Sequence, residues 1–531
     1  MAPFALSLKH AGKTYALDSF DPSQSALAFK DQIYHLTGVP VDKVKVPVKG
    51  GMLKDDADLS KLGFKPGQTV MVIGPAGPIP QAPAKPIVFM EDMTDIELAQ
   101  SAKYPVGLQN LGNTCYMNST VQVLRAIPEL QSALNSSPDA TGQPPAQLAR
   151  SLRDLYKSMG QTTEGFPPLS FLNMLRQFAP QFAERSRTTG QYAQQDAQEA
   201  WGAILQAAKQ SQLGGQGGGN AVEQLLMGEF TKTLKSAEAP EEEPTVSKEQ
   251  FLELKCNISA QTNYMMQGLA ESMEQDLEKN SPSLGRQAVY HETTRISRLP
   301  SYLTVNMVRF YWRREIGKKT KIMRKVKFPF DLDATELVTD DLKKKILPVG
   351  EKLKECDKDR RERAKTRRKM KKAAAAAAAA ASAAAPASAS AAPQDPSADP
   401  PEEMAIDAPA GEAAGELPDE ETQREEELAT LVSLVHPDLE ADKGANVSGL
   451  YELVGIVSHK GASADGGHYV GWCAAPPPED GAAEFDVDKQ EWYKFDDDKV
   501  SLVSRDKILA LEGGGEDHSA YILLYRSKAL A

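Results

Sequence analysis

Residues 107–122 read Gly-Leu-Gln-Asn-Leu-Gly-Asn-Thr-Cys-Tyr-Met-Asn-Ser-Thr-Val-Gln, a turn that runs into the start of a helix. Gly112 permits a backbone turn that a Cβ would hinder. Cys115 follows at the predicted N-terminus of the helix, where the positive end of the helix dipole favours a thiolate. Free backbone N–H groups there can bind an oxyanion, and the Asn110 side chain can donate to the same oxygen. The stretch predicts a reactive cysteine, although a lone cysteine is more often a buried apolar residue.

A histidine and an aspartate lie far downstream in two aromatic-rich stretches, Gly-Gly-His-Tyr-Val-Gly-Trp at 466–472 and Trp-Tyr-Lys-Phe-Asp-Asp-Asp at 492–498. A thiolate nucleophile needs a base, and histidine is the usual one near neutral pH. His468 opens one predicted strand and Asp496 ends another, so adjacent strands would let Asp496 orient His468. Asp497 and Asp498 follow directly, and spacing alone does not choose among the three carboxylates.

These stretches resemble the cysteine and histidine boxes of the ubiquitin-specific proteases. Residues 192–199, 298–310 and 520–525 resemble further parts of the same catalytic domain. The resemblance implies a papain-like cysteine protease fold that includes nearly all of residues 104–527 outside one insertion. It also implies that Cys115 is the nucleophile, His468 the general base and then acid, Asp496 its orienting partner, and Asn110 an oxyanion donor.

The same resemblance implies contacts with the extended tail of ubiquitin. The expected substrate-binding residues are Gln195, Asp196, Gly467 and Tyr469. Asp196 could pair with an arginine of the tail through a charge-assisted bond. Gln195 and Asp196 could instead be helix-surface or helix-capping residues, which their position before a predicted helix also allows.

Residues 4–73 follow the order β-β-α-β-β, with strand alternation at Phe4, Leu6 and Leu8 and a helix whose predicted cap is Ser23. The segment resembles a ubiquitin-like domain with a β-grasp fold. It continues into Gly74-Pro75 without a free di-glycine tail. We therefore expect a docking module and not a conjugated modifier.

A ubiquitin-like domain before a catalytic domain of this type resembles the proteasome-associated ubiquitin carboxyl-terminal hydrolases. The resemblance implies a deubiquitinating thiol protease that cleaves isopeptide bonds at the ubiquitin C-terminus on proteasome-bound substrates. Expected partners are ubiquitin, polyubiquitinated proteins and the 26S proteasome regulatory particle, which residues 4–73 would bind. The alternative is a mainly non-catalytic, ubiquitin-binding scaffold that regulates the proteasome.

Composition limits the other classes. The chain has 531 residues and a formal net charge of −12, which disfavours general nucleic-acid binding. Its four cysteines form no C-x-x-C pair, whereas many members of the family hold zinc in such pairs, so we expect neither a structural metal nor a cofactor. We also expect no membrane association, and a cytoplasmic and nuclear location.

The predicted fold class is α+β, a β-grasp domain followed by the papain-like catalytic domain. The predicted organisation is a ubiquitin-like domain (1–74), a proline-rich linker (75–103), a first catalytic part (104–350), a low-complexity insertion (351–444) and a second catalytic part (445–527). Residues 351–372 contain 12 basic and 5 acidic residues, and residues 395–427 contain 13 acidic and 1 basic residue. Because most apolar residues of the insertion are alanines, we expect it to bury no core.

Overall fold

The computed structural model describes residues 3–49, 51–75, 105–137, 142–186, 190–215, 218–313, 318–383, 419–462, 466–477, 489–515 and 517–530. These residues fall into two compact units, 1–93 and 94–531. The linker predicted at 75–103 and the middle of the insertion lie almost wholly outside the described residues. The predicted domain boundaries therefore stay predictions.

The first unit has the predicted β-grasp fold, with one short strand more than the predicted order β-β-α-β-β. It contains β1 (Phe4–His10), β2 (Lys13–Phe20), α1 (Ala26–Thr37), β3 (Pro47–Val48), β4 (Gly51–Met52) and β5 (Thr69–Met71). Strand β1 is central, antiparallel to β2 and parallel to β5. Phe29 and Ile33 of α1 are fully buried in the core that the sheet covers.

The start of α1 differs from the predicted cap. Ser25, and not Ser23, accepts a hydrogen bond from the backbone N–H of Ala28, at 3.2 Å. The Ser23 hydroxyl instead donates to Asp21 Oδ1 over 2.6 Å. Both serines suit a helix N-terminus, and the local turn at Asp21 decides between them. Gly38 ends the helix in the left-handed conformation, with φ 72°.

The second unit combines helices with two large sheets. Its helices are α2 (Cys115–Leu124), α3 (Pro128–Ser136), α4 (Pro144–Met159), α5 (Leu169–Phe178), α6 (Ala197–Gln210), α7 (Ala221–Leu226), α8 (Met265–Ser272), α9 (Asp340–Ala383), α10 (Glu420–Ser433), α11 (Pro437–Ala441) and α12 (Arg505–Leu509). Its strands are β6 (Gly228–Ser236), β7 (Thr245–Phe251), β8 (Leu254–Asn257), β9 (Glu274–Asn280), β10 (Gln287–Arg298), β11 (Tyr302–Val308), β12 (Phe310–Arg313), β13 (Lys318–Lys321), β14 (Asp331–Asp333), β15 (Leu450–Lys460), β16 (His468–Ala474), β17 (Trp492–Asp496), β18 (Lys499–Val503) and β19 (Ser519–Ser527).

The central sheet has the order β18-β17-β16-β15-β19-β11-β8, with β14 paired to β15. Strand β19 lies between β15 and β11 and is antiparallel to both. Helix α2 is buried along its whole length, from Cys115 to Leu124. Gly471 of β16 makes room for this helix, since a Cβ there would lie 3.1 Å from the carbonyl oxygen of Ser119. The helix that carries the cysteine and the strand that carries the histidine are therefore in direct contact.

A second sheet, β7-β6-β10-β9, ends in a tip where two hairpin loops meet. Glu242, in the β6–β7 loop, accepts hydrogen bonds from the hydroxyls of Ser281 and Ser283 in the β9–β10 loop. Tyr290 of β10 donates to its other oxygen over 2.5 Å. The bonds from these two serines and this tyrosine lower the pKa of Glu242 to about 2. Side-chain hydrogen bonds thus connect the two loops at this tip.

We predict that Glu242→Ala loosens this tip and leaves the rest of the catalytic unit intact. Hydrogen exchange should rise in residues 237–244 and 281–286, while Glu241→Ala, which changes an exposed neighbour, should leave exchange unchanged. Because the pKa of Glu242 is lowered on folding, its stabilising effect exists above the ordinary carboxyl pKa and is lost as the pH falls toward about 2. Equal protection in the wild type and in Glu242→Ala would contradict this.

The ends of the insertion are ordered, which corrects one expectation. Leu353 and Cys356 of α9 and Leu431 of α10 are buried together beside Val349 and Leu450. On the same helices, Arg360 pairs with Glu427 at 2.6 Å and Arg363 with Glu420 at 3.1 Å. The prediction that the segment buries no core was wrong at these ends, because a few large apolar residues among the charges are enough for a small cluster. Among the described residues, the helices are too short or too polar to span a bilayer.

Candidate active site

The turn before α2 holds Cys115 at the first position of the helix. Gly112 and Asn113 have positive φ angles, 96° and 55°. The Asn110 side-chain oxygen accepts the backbone N–H groups of Gly112 and Thr114, at 3.0 and 3.2 Å. Cys115 itself is only 3% exposed. The thiol therefore sits at the positive end of a buried helix, as the sequence predicted.

His468 begins β16 and connects the cysteine to an acid. Its Nε2 lies 2.7 Å from Oδ1 of Asp496, which leaves Nδ1 for the Cys115 thiol. The hydrogen bond with Cys115 is the main cause that raises the pKa of His468 to about 9; partial burial opposes it, and the Asp496 bond adds to it. A raised imidazole pKa beside a thiol favours the thiolate–imidazolium pair.

Asp496 is held by two cationic partners. Oδ1 faces His468, and Oδ2 lies 2.7 Å from Nζ of Lys494. Burial opposes ionisation of Asp496, but the bonds from Lys494 and His468 outweigh it and lower the pKa of the carboxyl group. Asp496 therefore stays charged and fixes the ring of His468. Sequence reasoning missed Lys494, although a residue two positions earlier on the same strand must share its face.

Asp497 has a different set of partners from Asp496. Its two oxygens accept from the side-chain N–H groups of Asn110, at 2.9 Å, and Asn118, at 2.8 Å. Its carbonyl accepts the backbone N–H of Leu108 at 2.9 Å, and its φ of 54° turns the chain toward the cysteine loop. One N–H of Asn110 is thereby occupied, and the second is left for an oxyanion. The oxyanion role of Asn110 stays a prediction.

The four predicted substrate-binding residues lie in different settings. Asp196 is the N-cap of α6; its Oδ1 accepts from the backbone N–H of Gln198 at 2.9 Å and the hydroxyl of Tyr521 at 2.7 Å. Gln195, just before it, is half-buried. Tyr469 is fully buried beneath the site. These contacts support the interpretation of Asp196 as a helix cap. Contact of any of the four residues with ubiquitin stays a prediction.

Gly467 precedes the histidine in a conformation that suits glycine. Its φ is +113°, and a Cβ would lie 2.1 Å from the carbonyl oxygen of Lys460. A larger residue here would push His468 away from Cys115, so the position controls the backbone next to the base.

Two further histidines, His459 and His518, lie near the site. His459 is completely buried. Its pKa is lowered to about 3, mainly by burial and to a smaller extent by the positive charge of the nearby Lys321. Nδ1 of His518 lies 3.2 Å from the hydroxyl of Ser458. The pKa of His518 is lowered to about 4, mainly by burial and to a smaller extent by the positive charge of Lys494. Both rings are therefore neutral at pH 7, and His468 is the histidine in contact with the thiol.

Three groups could in principle bridge a cation. One donor atom each of His468, Asp496 and Asp497 lies within 4.8 Å of the others. The two carboxylates already accept from Lys494, His468 and two asparagine side chains. These donors orient both acids, and Lys494 and His468 also balance the charge of Asp496, so the arrangement fits a protein triad better than a metal site.

The fold and this geometry define a cysteine hydrolase of papain-like type, with a thiol on a buried helix and an imidazole–carboxylate pair on the facing sheet. Sequence comparisons then place it more narrowly. Residues 106–525 match the family model described as ubiquitin carboxyl-terminal hydrolase, and residues 6–75 match the ubiquitin family. The chain belongs to the ubiquitin carboxyl-terminal hydrolase family and is a cysteine-type deubiquitinase with an N-terminal ubiquitin-like domain.

Relatives match over almost the full length. The chain is 42% identical to ubiquitin carboxyl-terminal hydrolase 6 of Schizosaccharomyces pombe, over 99% of both chains. It is 36% identical to ubiquitin carboxyl-terminal hydrolase 6 of Arabidopsis thaliana, over 98% of both chains. It is 30% identical to ubiquitin carboxyl-terminal hydrolase 14 of Caenorhabditis elegans, over 96% of this chain and 91% of the relative. The matches therefore extend over both the ubiquitin-like and the catalytic part of this chain.

The raised pKa of His468 predicts the alkaline limit of activity. Since the imidazolium must protonate the leaving amine, kcat/KM for hydrolysis of ubiquitin C-terminal amides should be sustained through neutral pH and fall as the pH passes about 9. A pH–rate profile checks this, with circular dichroism over the same range to exclude unfolding. A decline centred near the ordinary histidine pKa of about 6.5 would show that the thiol does not hold the proton on the ring.

Proposed function

We propose that this deubiquitinase acts on proteins bound at the proteasome, cleaving the isopeptide bond after the ubiquitin C-terminus so that ubiquitin is released for reuse. The observation that carries the proposal is the combination of a ubiquitin-like domain with a catalytic domain along one chain, matched over nearly the full length by relatives. A module of ubiquitin shape, without a free tail, is suited to binding a ubiquitin receptor. We assign that receptor to the 26S proteasome regulatory particle and the contact to residues 4–73.

The proposed chemistry follows from the arrangement of the side chains. The Cys115 thiolate attacks the isopeptide carbonyl, and the tetrahedral oxyanion accepts hydrogen bonds from Asn110 and the backbone N–H groups at the start of α2. His468 donates its proton to the lysine amine as the C–N bond breaks, which leaves a thioester on Cys115. His468 then removes a proton from water, and the hydroxide attacks the thioester and frees the ubiquitin carboxylate and the thiol. Asp496 keeps the ring in place throughout.

The loop after β15 gives a reason to expect regulation by the partner. Residues 461–467 are small, and the described Ala462 accepts the backbone N–H of Lys321 at 3.0 Å. The side chain of Lys321 donates to the carbonyl of His459 over 2.6 Å. The described start of the loop is thus tied to the β12–β13 ribbon. We propose that the free chain is weakly active and that proteasome binding moves this loop.

A second role, as a ubiquitin-binding regulator independent of hydrolysis, can coexist with the first. It would act in the cytoplasm and nucleus, where proteasomes and reduced thiols occur together. A chain with Cys115→Ala that still changes the degradation rate of a ubiquitinated substrate would support it. Loss of every effect with this substitution would leave hydrolysis as the whole function.

The test is labelling with ubiquitin that carries a thiol-reactive C-terminus, with and without purified proteasomes. We expect slow labelling of the free chain, faster labelling with proteasomes, and no labelling of Cys115→Ala. A chain lacking residues 1–75 should label at the basal rate whether or not proteasomes are present. Labelling that proteasomes do not accelerate would contradict activation, and absence of labelling in every condition would contradict the proposed hydrolysis.

A further inference from the structure

Lys494 touches the acid of the proposed triad from the side opposite His468. Its Nζ lies 2.7 Å from Oδ2 of Asp496, while His468 Nε2 lies 2.7 Å from Oδ1. The two side chains of this ion pair are 27% and 35% exposed, so water only partly screens their charges. The carboxylate is therefore shared between a permanent cation and a ring whose charge changes during the reaction.

The lysine is held in place by its own strand and by an aromatic ring. On β17 it lies opposite Trp472 of β16, and Nζ is 5.8 Å from the centre of the Trp472 ring. The Trp472 indole N–H donates to Ser458 over 2.8 Å, which fixes the ring. Such a lysine has few alternative positions, so its ammonium group stays beside Asp496.

The other groups around His468 leave Lys494 as an influential charge. His459 and His518 are neutral at pH 7, because burial and, to a smaller extent, nearby cations lower their pKa values to about 3 and about 4. On β15, Lys460 pairs with Asp517 at 3.4 Å. Asp497, beyond the cysteine loop, is bonded by Asn110 and Asn118. Cys115 on α2 completes the surroundings. Among the described residues, the cation in direct contact with the triad acid is Lys494.

We infer that Lys494 is a positioning residue that sets the pH range of the enzyme by sharing Asp496 with His468. A cation behind the acid weakens the negative field that Asp496 exerts on the ring. The imidazolium of His468 then loses its proton at lower pH than it would without the lysine. The consequence is a catalytic pair that is charged at neutral pH and still able to release its proton to the leaving amine.

This inference rests on the proposed roles of Cys115, His468 and Asp496, and its test is the pH profile of the full chain. In Lys494→Met the stem remains but the charge is removed. We expect the alkaline limb of the kcat/KM profile for ubiquitin C-terminal amide hydrolysis, which reports the imidazolium of His468, to move upward by about 0.5 to 1 pH unit. Because the change acts on proton affinity, KM measured on each plateau should stay near the wild-type value. Lys494→Arg, which keeps the cation, should retain a profile near that of the wild type.

Controls separate charge from folding. Lys507→Met removes an exposed lysine from α12, outside the contacts described, and should leave both limbs in place. Lys494→Gln is a second neutral variant in case the methionine chain is unstable. A profile of Lys494→Met that is unshifted or shifted downward would overturn the inference, as would an equal shift in Lys494→Arg. Failure of both neutral variants to fold would mean that the ion pair is structural and would also overturn it.

Failure of this inference and failure of the proposed function look different. An unshifted profile in an active Lys494→Met chain removes only the role of Lys494. A wild-type chain that neither hydrolyses ubiquitin amides nor reacts with the ubiquitin probe removes the proposed function itself.

Discussion

Replacing Cys115 with alanine should lower hydrolysis of ubiquitin C-terminal amides by about 10⁴-fold or more, because no other group can form the thioester. The fold should survive, since the change removes only one sulfur atom from the buried helix α2. Ubiquitin binding should survive as well, because the tail would still occupy the site. The measurement is steady-state turnover beside a binding isotherm for ubiquitin.

A matched control is available within the same catalytic unit. Cys356 is also buried, but it lies in the small apolar cluster between α9 and α10. Cys356→Ala should retain near-wild-type turnover and react fully with the ubiquitin probe. If Cys115→Ala keeps more than about a tenth of the wild-type rate, far above the loss expected for a nucleophile, another group performs the attack.

Replacing Asp496 with asparagine should produce the second-largest effect, a fall in kcat of about 10²–10⁴-fold with little change in KM. An amide cannot supply the negative charge that stabilises the imidazolium, and it can hold the ring in the wrong tautomer. The alkaline limb of the pH profile should also move to lower pH, since one cause of the raised pKa of His468 is gone.

Asp497→Asn is the informative comparison, because spacing alone left the three neighbouring aspartates equivalent. Asp497 accepts from Asn110 and Asn118 and makes no bond to His468 among those described. We expect a kcat loss of about 10–10²-fold, through a displaced oxyanion donor. The alkaline limb should move to lower pH by less than in Asp496→Asn, since the charge of Asp497 is a smaller cause of the raised pKa of His468 than the bond from Asp496. A larger loss in Asp497→Asn than in Asp496→Asn would reassign the orienting role to Asp497.

Much of the fold could be predicted, since its elements depend on local patterns, whereas the pairing of Cys115 with the distant His468 was predicted from the family resemblance. A glycine turn before a helix and a glycine pair before an aromatic strand are readable within a few residues, and the resemblance supplied their relative order. The three-aspartate run could not be resolved in this way. The partners of Asp497 lie 387 and 379 positions away, at Asn110 and Asn118.

Other details escaped for the same physical reason. The tie between Glu242 and the opposite loop spans 39 residues to Ser281, and nothing near Glu242 marks it. A local signal did exist for Lys494, which lies on the same face of its strand as Asp496. Its importance, however, depends on the long-range contact between Asp496 and His468. The ordered ends of the insertion depend on the contact between Cys356 and Leu431. The average composition of the segment, which is dominated by alanine and charged residues, does not reveal this contact.

The position of β19 has a consequence for biosynthesis. This strand, Ser519–Ser527, is inserted between β15 and β11 in the middle of the central sheet. A ribosome must therefore translate beyond residue 527 before β15 and β11 can both pair with the strand between them. Nascent chains, and products of premature stop codons upstream of this strand, would carry the nucleophile without a complete central sheet. The central sheet is thus completed only after β19 has been synthesised.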